Sequence, residues 1–201
     1  MSIDAPVSVT ELRRVVSDLY GSVCDEPDRD YHFPTGRSWA LDLGYDSALL
    51  ARVPEGAAES FAGVANPFSL GPLAAGETVV DLGCGAGMDA LMAAQMVGPS
   101  GRVVGIDMTT EMAAKARRNA AAMGATNVTV HQGYVEELPL PDGTVDVVIS
   151  NGVIDLVPDK DAVFGEILRI LKPGGRIQIA DVTLQNPVGE GAKRDIDLWA
   201  Q

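Results

Sequence analysis

The sequence predicts an α/β domain: a doubly wound, mostly parallel sheet behind an irregular and helical N-terminal cap. Three observations carry that reading. Over residues 76–181, β-branched runs alternate with alanine-rich helical stretches of about 10–15 residues. The apolar runs barely alternate with polar residues, as in strands covered on both faces. A set of glycines follows directly on the first of these runs, where such a sheet opens a crevice at the carboxyl ends of its strands.

The elements follow in order. TVVDL (78–82) is a short buried strand and MDALMAAQMV (88–97) a helix stopped by Gly98-Pro99. Met88, Met92 and Met96 recur at every fourth position and belong to the core. RVVGID (102–107) is a strand, and TEMAAKARRNAAAMG (110–124) a helix closed by Gly124 just past its end. NVTVHQ (127–132) and TVDVVIS (144–150) are strands. DKDAVFGEILRIL (159–171) is a helix with Val163, Phe164, Ile167, Leu168 and Leu171 on one stripe. KPGG then turns the chain into RIQIAD (176–181), a fifth strand. Right-handed crossovers leave helices on both faces of the sheet.

Residues 1–75 differ in texture, holding seven of the ten aromatics among many turn formers. They are expected to form a cap or lid over a ligand-binding domain at 76–201. In residues 29–70, Tyr31, Phe33, Trp39, Tyr45, Phe61 and Phe68 either wall an apolar pocket or pin an irregular segment to the domain.

Composition excludes several functions. Fifteen Lys+Arg against 28 Asp+Glu give a net charge of −13, which argues against affinity built on neutralising nucleic-acid phosphates. Cys24 and Cys84 make neither a metal-ligand spacing nor a disulfide framework, so no metal is expected. The start, MSIDAPVSV, lacks a basic region followed by an apolar block, and no apolar run reaches the ~18 residues of a membrane span. The expectation is a soluble, cytoplasmic chain with no membrane partner.

Gly83, Gly85 and Gly87 let the backbone turn sharply and approach a ligand closely. The helix from Met88 points its first amides into the same crevice. Asp107 ends the second strand about 20 residues further on, where a carboxylate accepts both hydroxyls of a ribose. Asp81, just before the glycines, would repel a nucleotide diphosphate and attract an ammonium group. The glycines themselves leave a dinucleotide open: G-x-G-x-x-G fails from Gly83 because Met88 holds its third position, yet G-x-G-x-x-A fits from Gly85 to Ala90. Asp81 favours a ligand such as S-adenosylmethionine.

VVDLGCGAG and VVGIDM resemble the first motifs of the class I S-adenosylmethionine-dependent methyltransferases, a Rossmann-like fold. More narrowly, GETVVDLGCGAGMDALMAAQMVGPSGRVVGIDMTTEM, VDVVISNGVIDLVPDK and ILKPGGRIQIADV resemble the arsenite methyltransferase family. The likeness covers residues 76–182, about half the chain. It implies that Asp81 and the loop Gly83, Cys84, Gly85 and Gly87 hold the methionine moiety of S-adenosylmethionine. It implies too that Asp107 holds the ribose, Met108 packs on the adenine, and Tyr134, Val135 and Glu136 bound its edge. Asn151 would lie near the methionine end. Tyr20-Gly21 resembles the Tyr-Gly that opens the family's N-terminal segment.

The departures from that family concern the acceptor. SNGVIDL stands where the family has Ser-Asn-Cys-Val-Ile-Asn-Leu, so Gly152 replaces a ligand cysteine and Asp155 an asparagine. GVANP stands for Gly-Cys-Gly-Asn-Pro, so Val64 replaces another. Tyr20, His32, Phe61, Val64, Gly152 and Asp155 are the candidate substrate-pocket residues, with His32 a candidate base and His131 a strand-terminal histidine beside the crevice. No catalytic acid or base stands out, as expected where a sulfonium carries its own electrophilicity.

After the fifth strand the family continues with a helix and two antiparallel strands, whereas AKRDIDLWAQ suffices for a partial helix. The family's further cysteine falls close after the tryptophan matching Trp199. That end is read either as a shortened chain or as an in-frame UGA, meant for selenocysteine, read as stop; the gene past codon 201 distinguishes them. The fifth strand would then be an open edge, inviting a homodimer. Three functions compete: methyl transfer to a small molecule, silent binding of S-adenosylmethionine or its product, and nicotinamide-dependent reduction. A true arsenite methyltransferase is disfavoured by the missing thiolates.

Overall fold

The computed structural model describes residues 7–183 together with 185, 186, 189, 191, 195 and 196. Trp199 and most of the segment expected to form the last helix lie outside the described residues. Five parallel strands form one sheet in the order β3-β2-β1-β4-β5: β1 (Thr78–Leu82), β2 (Arg102–Asp107), β3 (Val128–Gln132), β4 (Val145–Asn151) and β5 (Leu171–Ala180). The chain winds outward from β1 in one direction, then returns to place β4 on its other side. The switch point therefore lies between β1 and β4, where a doubly wound sheet opens its crevice.

Successive side chains of each strand feed two different cores. Val80, Leu82, Val104, Ile106 and Val148 pack with Val163, Ile167 and Ile170 of helix α7 (Lys160–Ile170). Val79, Val103, Val147 and Ile149 pack on the other face with Ala90, Ala93, Ala94 and Val97 of α5 (Met88–Val97). Helix α6 (Thr110–Met123) lays Ala113 and Ala116 over Cys84 and Val130 and ends at Gly124, whose φ of 68° makes a left-handed cap.

Two details depart from the sequence reading. On α7 the buried stripe is Val163, Ile167 and Ile170, while Phe164 and Leu168 are exposed, because the helix lays only one narrow edge on the sheet. The fifth strand begins at Leu171, paired with Val145, and its next partner is Arg176 opposite Val147. The KPGG residues thus bulge out of the ladder rather than precede it, with Gly174 at φ 83°. Among the described residues nothing pairs with the outer edge of β5.

The N-terminal region is mostly helical. Helix α1 (Val9–Asp25) starts at Ser8, whose hydroxyl accepts from the Glu11 amide, and turns Leu12, Val16 and Val23 inward. Short helices α2 (Gly36–Asp42), α3 (Ser47–Leu50) and α4 (Glu55–Ala58) follow. Tyr45, Leu50, Val53 and Phe61 share a core with Met88, Leu91 and Met92 of α5. Each such fully buried apolar side chain contributes about 1.5–3 kcal/mol, so this region is packed onto the sheet layer rather than tethered to it.

Candidate functional site

The crevice is built first by backbone. Gly83, Gly85 and Gly87 have φ of 66°, 51° and 93°, a region in which any side chain is strained. A Cβ at Gly83 would run into Val153, and one at Gly87 would sit 3.3 Å from the Ala116 Cβ. Gly87 therefore lets α5 approach α6 and does not line the cavity. Gly85 alone of the three would meet nothing within 4 Å, and it lines the cavity wall. Cys84 contributes backbone only, because its Sγ packs over Gly105, where a Cβ would lie 2.8 Å away. Burial pushes this thiol well above its ordinary range.

Three buried carboxylates line the same cavity. Asp81, at the end of β1, is 2% exposed and its Oδ2 has no hydrogen-bond partner. Asp107, at the end of β2, accepts from the Gly85 amide at 2.8 Å and from the Thr109 amide at 2.9 Å, tying the glycine loop to the second strand. Asp89, in the first turn of α5, is 7% exposed; its Oδ2 accepts from Asn151 Nδ2 at 3.1 Å, and its Oδ1 has no partner. Burial raises all three acids, Asp81 further through the charges of Asp89 and Asp107. Burial pushes Asp89 up to about 6, outweighing the opposing effect of the neighbouring Tyr45 and Asn151 side chains. Arg13 is the one basic side chain on the cavity wall among the described residues, and it is committed to Glu136 at 3.0 Å.

Of the residues singled out from sequence, Asp81, Gly83, Cys84, Gly85, Asp107, Met108, Tyr134, Val135, Glu136 and Asn151 line one cavity, joined by Tyr20, Phe61 and Gly152. Met108 packs beneath Leu12 and Val16 of α1. Tyr20 is pushed up to about 12, first by burial and then by Asp155, Asp107 and Asp181. Asn151 is less open than expected. Its Oδ1 accepts from the Val64 and Ala65 amides at 2.8 and 3.3 Å, and its Nδ2 serves Asp89, the Tyr45 hydroxyl (3.0 Å) and the Ala65 carbonyl (2.8 Å). Its side chain is saturated, so it holds the 63–66 loop and Asp89 rather than presenting a free amide.

Three expected pocket residues stand elsewhere. His32 is exposed and lies edge-on to Phe33, with ring centroids 4.7 Å apart. Val64 turns onto Gly152, where a Cβ would lie 3.2 Å from its Cγ1, because its amide is held by Asn151. Asp155 is drawn to Asp181, whose carboxylate takes the Ile154 amide at 2.9 Å, and burial with this partner pushes Asp155 up to about 7. The aromatics of residues 29–70 mostly pin the segment: Tyr45 meets Phe61 and Phe68 edge to face, and Trp39 Nε1 donates to the Gly63 carbonyl at 2.8 Å. Of that group Phe61 alone lines the cavity.

Sequence reasoning missed Asp89 and, of α1, every cavity residue but Tyr20. Asp89 passes for an ordinary acid in a first helical turn. Leu12, Arg13 and Val16 lie almost 70 residues before the glycine loop, and the one available signal was the Ser8…Glu11 start of an amphipathic helix.

A family model described as a methyltransferase domain matches residues 73–199. The arsenite methyltransferase of Halobacterium salinarum is 47% identical over 163 residues, which are 81% of this chain and 41% of that protein. A demethylmenaquinone methyltransferase of Listeria monocytogenes is 34% identical over 114 residues, 57% of this chain and 48% of the relative. Among solved structures, an arsenic(III) S-adenosylmethionine methyltransferase from Chlamydomonas reinhardtii superposes with a TM-score of 0.65 at 39% identity. That match covers 72% of this chain and 51% of the other. The chain thus spans about two fifths to half the length of these proteins.

Proposed function

We propose, from the premise that the chain belongs to the methyltransferase domain family, that it transfers a methyl group from S-adenosylmethionine to a small-molecule acceptor. The observation that carries this is the set of three buried carboxylates on one cavity wall, Asp81, Asp89 and Asp107, two of them with an unpartnered oxygen. Phosphates would be repelled there, whereas a sulfonium and an ammonium group are attracted.

The residues fit that cofactor. Of the buried side-chain oxygens and nitrogens without a partner, those of Asp81 and Asp89 are the ones on the cavity wall. The open space over Gly85 leaves its backbone available for close approach. Asp81 and the glycine loop would hold the amino-acid end. Asp107 would take the ribose hydroxyls, Met108 and Tyr134 would flank the adenine, and Val135 and Glu136 would bound its edge. When bound, S-adenosylmethionine supplies an electrophilic methyl group on sulfur. The protein's share is to orient the acceptor in line with that methyl and to exclude water, for which α1 and residues 61–63 cover the cavity.

The acceptor differs from the soft metalloid named for the relatives. Cys24 packs with Val23, Ala86 and Met112, and Cys84 packs beneath the loop, so neither is placed to form a pair of thiolates at the cavity. The cavity wall near Gly152 offers Phe61, Val153 and Leu156, which suits an acceptor with an apolar body. No described helix is long and apolar enough to cross a membrane, and we place the activity in the cytoplasm. We further place a second copy of the chain against the outer edge of β5, which no described strand pairs and where Ile177 is exposed. A monomeric mass in light scattering at micromolar concentration would remove that dimer.

Calorimetric titration with S-adenosylhomocysteine and, in parallel, NADH tests the main reading. Micromolar binding of the former alone is expected, followed by transfer of labelled methyl to an acceptor. Preference for NADH would overturn it. Tight binding with no transfer to any acceptor would support a silent binder instead.

A further inference from the structure

We propose that Asp89 is a second binding carboxylate for the amino-acid end of the cofactor, fixed in place by Asn151, which Tyr45 of the N-terminal region holds in turn. The inference rests on the reading of the cavity as an S-adenosylmethionine site and assigns the part of that site which the glycine loop does not explain.

The geometry separates the two oxygens of Asp89 by task. Oδ2 accepts from Asn151 Nδ2 at 3.1 Å. The same Nδ2 donates to the Tyr45 hydroxyl at 3.0 Å, and that hydroxyl donates to the Ala65 carbonyl at 3.3 Å, so Asn151 joins the carboxylate to the N-terminal region. The carboxylate is held against rotation, and Oδ1 is left without any partner in a residue 7% exposed on the cavity wall. A buried carboxylate oxygen without a donor costs on the order of the desolvation of a charged group unless a ligand supplies one.

Asp81 stands in the same condition, with Oδ2 unpartnered on the same wall, and the Asp89 charge adds to what disfavours its ionised form. Two like charges near one another are relieved by a cation placed between them. Arg13, the one basic side chain on the described cavity wall, is engaged by Glu136. An α-ammonium group carries three donors, enough to satisfy both orphaned oxygens and leave one for a backbone carbonyl. Because Tyr45 is packed among Leu50, Val53 and Phe61, the placement of the N-terminal region sets the placement of Asp89. That region thereby influences binding of a ligand end it does not itself touch through Tyr45.

The test compares S-adenosylhomocysteine with 5′-methylthioadenosine, which keeps the adenosine and thioether but has no amino-acid end. For Asp89→Asn, calorimetry is expected to show S-adenosylhomocysteine bound about ten- to hundredfold more weakly, with 5′-methylthioadenosine within twofold of the wild type. Tyr45→Phe, which removes the hydroxyl that Asn151 Nδ2 meets and so loosens the amide that holds Asp89, is expected to weaken S-adenosylhomocysteine alone by a smaller factor. Retention of S-adenosylhomocysteine affinity in Asp89→Asn overturns the proposal. So does an equal loss for both compounds, which marks a purely structural role. A wild-type chain that binds neither compound overturns the reading of the cavity itself.

Discussion

The guanidinium of Arg13 lies 3.7 Å over the centre of the Tyr134 ring while its Nη2 donates to Glu136 at 3.0 Å. One side chain of α1 thus spans two of the three residues expected to border the adenine, Tyr134 and Glu136. Leu12 and Val16, one position before and three positions after it, face the same cavity. Helix α1 is therefore a wall of the site and not a leader to the domain.

Arg13→Ala should weaken S-adenosylhomocysteine about three- to tenfold, the sum of a partly exposed cation–π contact and an ion pair one third exposed on the arginine side. Part of the loss should disappear in the wild type at high salt, since exposed pairs are screened. Calorimetry in low and high salt checks this. Unchanged affinity at both salts would mean that α1 does not contribute to binding.

Much of this fold is legible in residue order because its punctuation is physical. Gly98 and Gly124 end helices in conformations open to glycine, and β1 and β2 occupy the runs TVVDL and RVVGID as read. The carboxylates Asp81 and Asp107 were legible because strand ends in such a sheet face the crevice. What escaped depends on packing partners remote in sequence. Phe164 and Leu168 share the helical stripe of Val163, and only the angle at which α7 meets the sheet decides that they stay exposed. Asn151 reads as a ligand-facing amide until the 63–66 loop is seen to occupy both of its ends. Asp89 is indistinguishable from a helix-dipole acid until Tyr45, 44 residues earlier in the chain, closes over it.

The cluster of raised acids predicts an inverted pH response. Asp89 and Asp155 have folded values near 6 and 7, and Asp81 and Asp107 are raised by burial. Each binds its proton more tightly when folded than in the unfolded chain, where carboxyls titrate near 4. Their contribution to stability is fully present below the unfolded value and is lost as pH rises through the folded ones. The lowered acids Glu77, Asp146 and Glu166 lose their contribution only below about 4.5, outside this window. The ligand-free protein should therefore melt roughly 4–10 °C lower at pH 8 than at pH 5.5. S-adenosylhomocysteine should raise the melting point more at pH 8. A melting point that rises steadily toward pH 8 without ligand contradicts the burial of these groups.

Asp155→Asn isolates one member of that cluster. At pH 8 the native pair requires two neighbouring carboxylates, Asp155 and Asp181, to be charged together. An amide in place of Asp155 carries no charge and can donate to Asp181, which remains held by the Ile154 and Val182 amides. The variant should be more stable than the wild type by about 1–2 kcal/mol at pH 8, a figure reduced for the partial exposure of Asp155. Near pH 5 the difference should vanish, because the wild-type pair is then singly protonated. Denaturant melts at the two pH values decide it, and destabilisation at pH 8 would sink the idea of a shared proton.

Lys115 ties three elements around the site with one ammonium group. From α6 its Nζ donates to the Cys24 carbonyl of α1 at 2.8 Å, to Glu59 at 2.8 Å and to the Ser60 hydroxyl at 2.9 Å. Its side chain is 12% exposed and that of Glu59 35%, so removing the cation leaves a half-shielded carboxylate and a carbonyl without donors. Lys115→Ala should cost about 2–3 kcal/mol, less than a fully buried pair because Glu59 can turn to water. The melting point should fall by roughly 5–10 °C. Lys115→Met keeps the apolar stem and separates packing from charge: it should recover less than half of that loss. Ser60 lines the cavity, so S-adenosylhomocysteine affinity should fall in both variants at a temperature where each remains folded. A stability loss with unchanged affinity would show that the link between α1, α4 and α6 holds the fold without shaping the site.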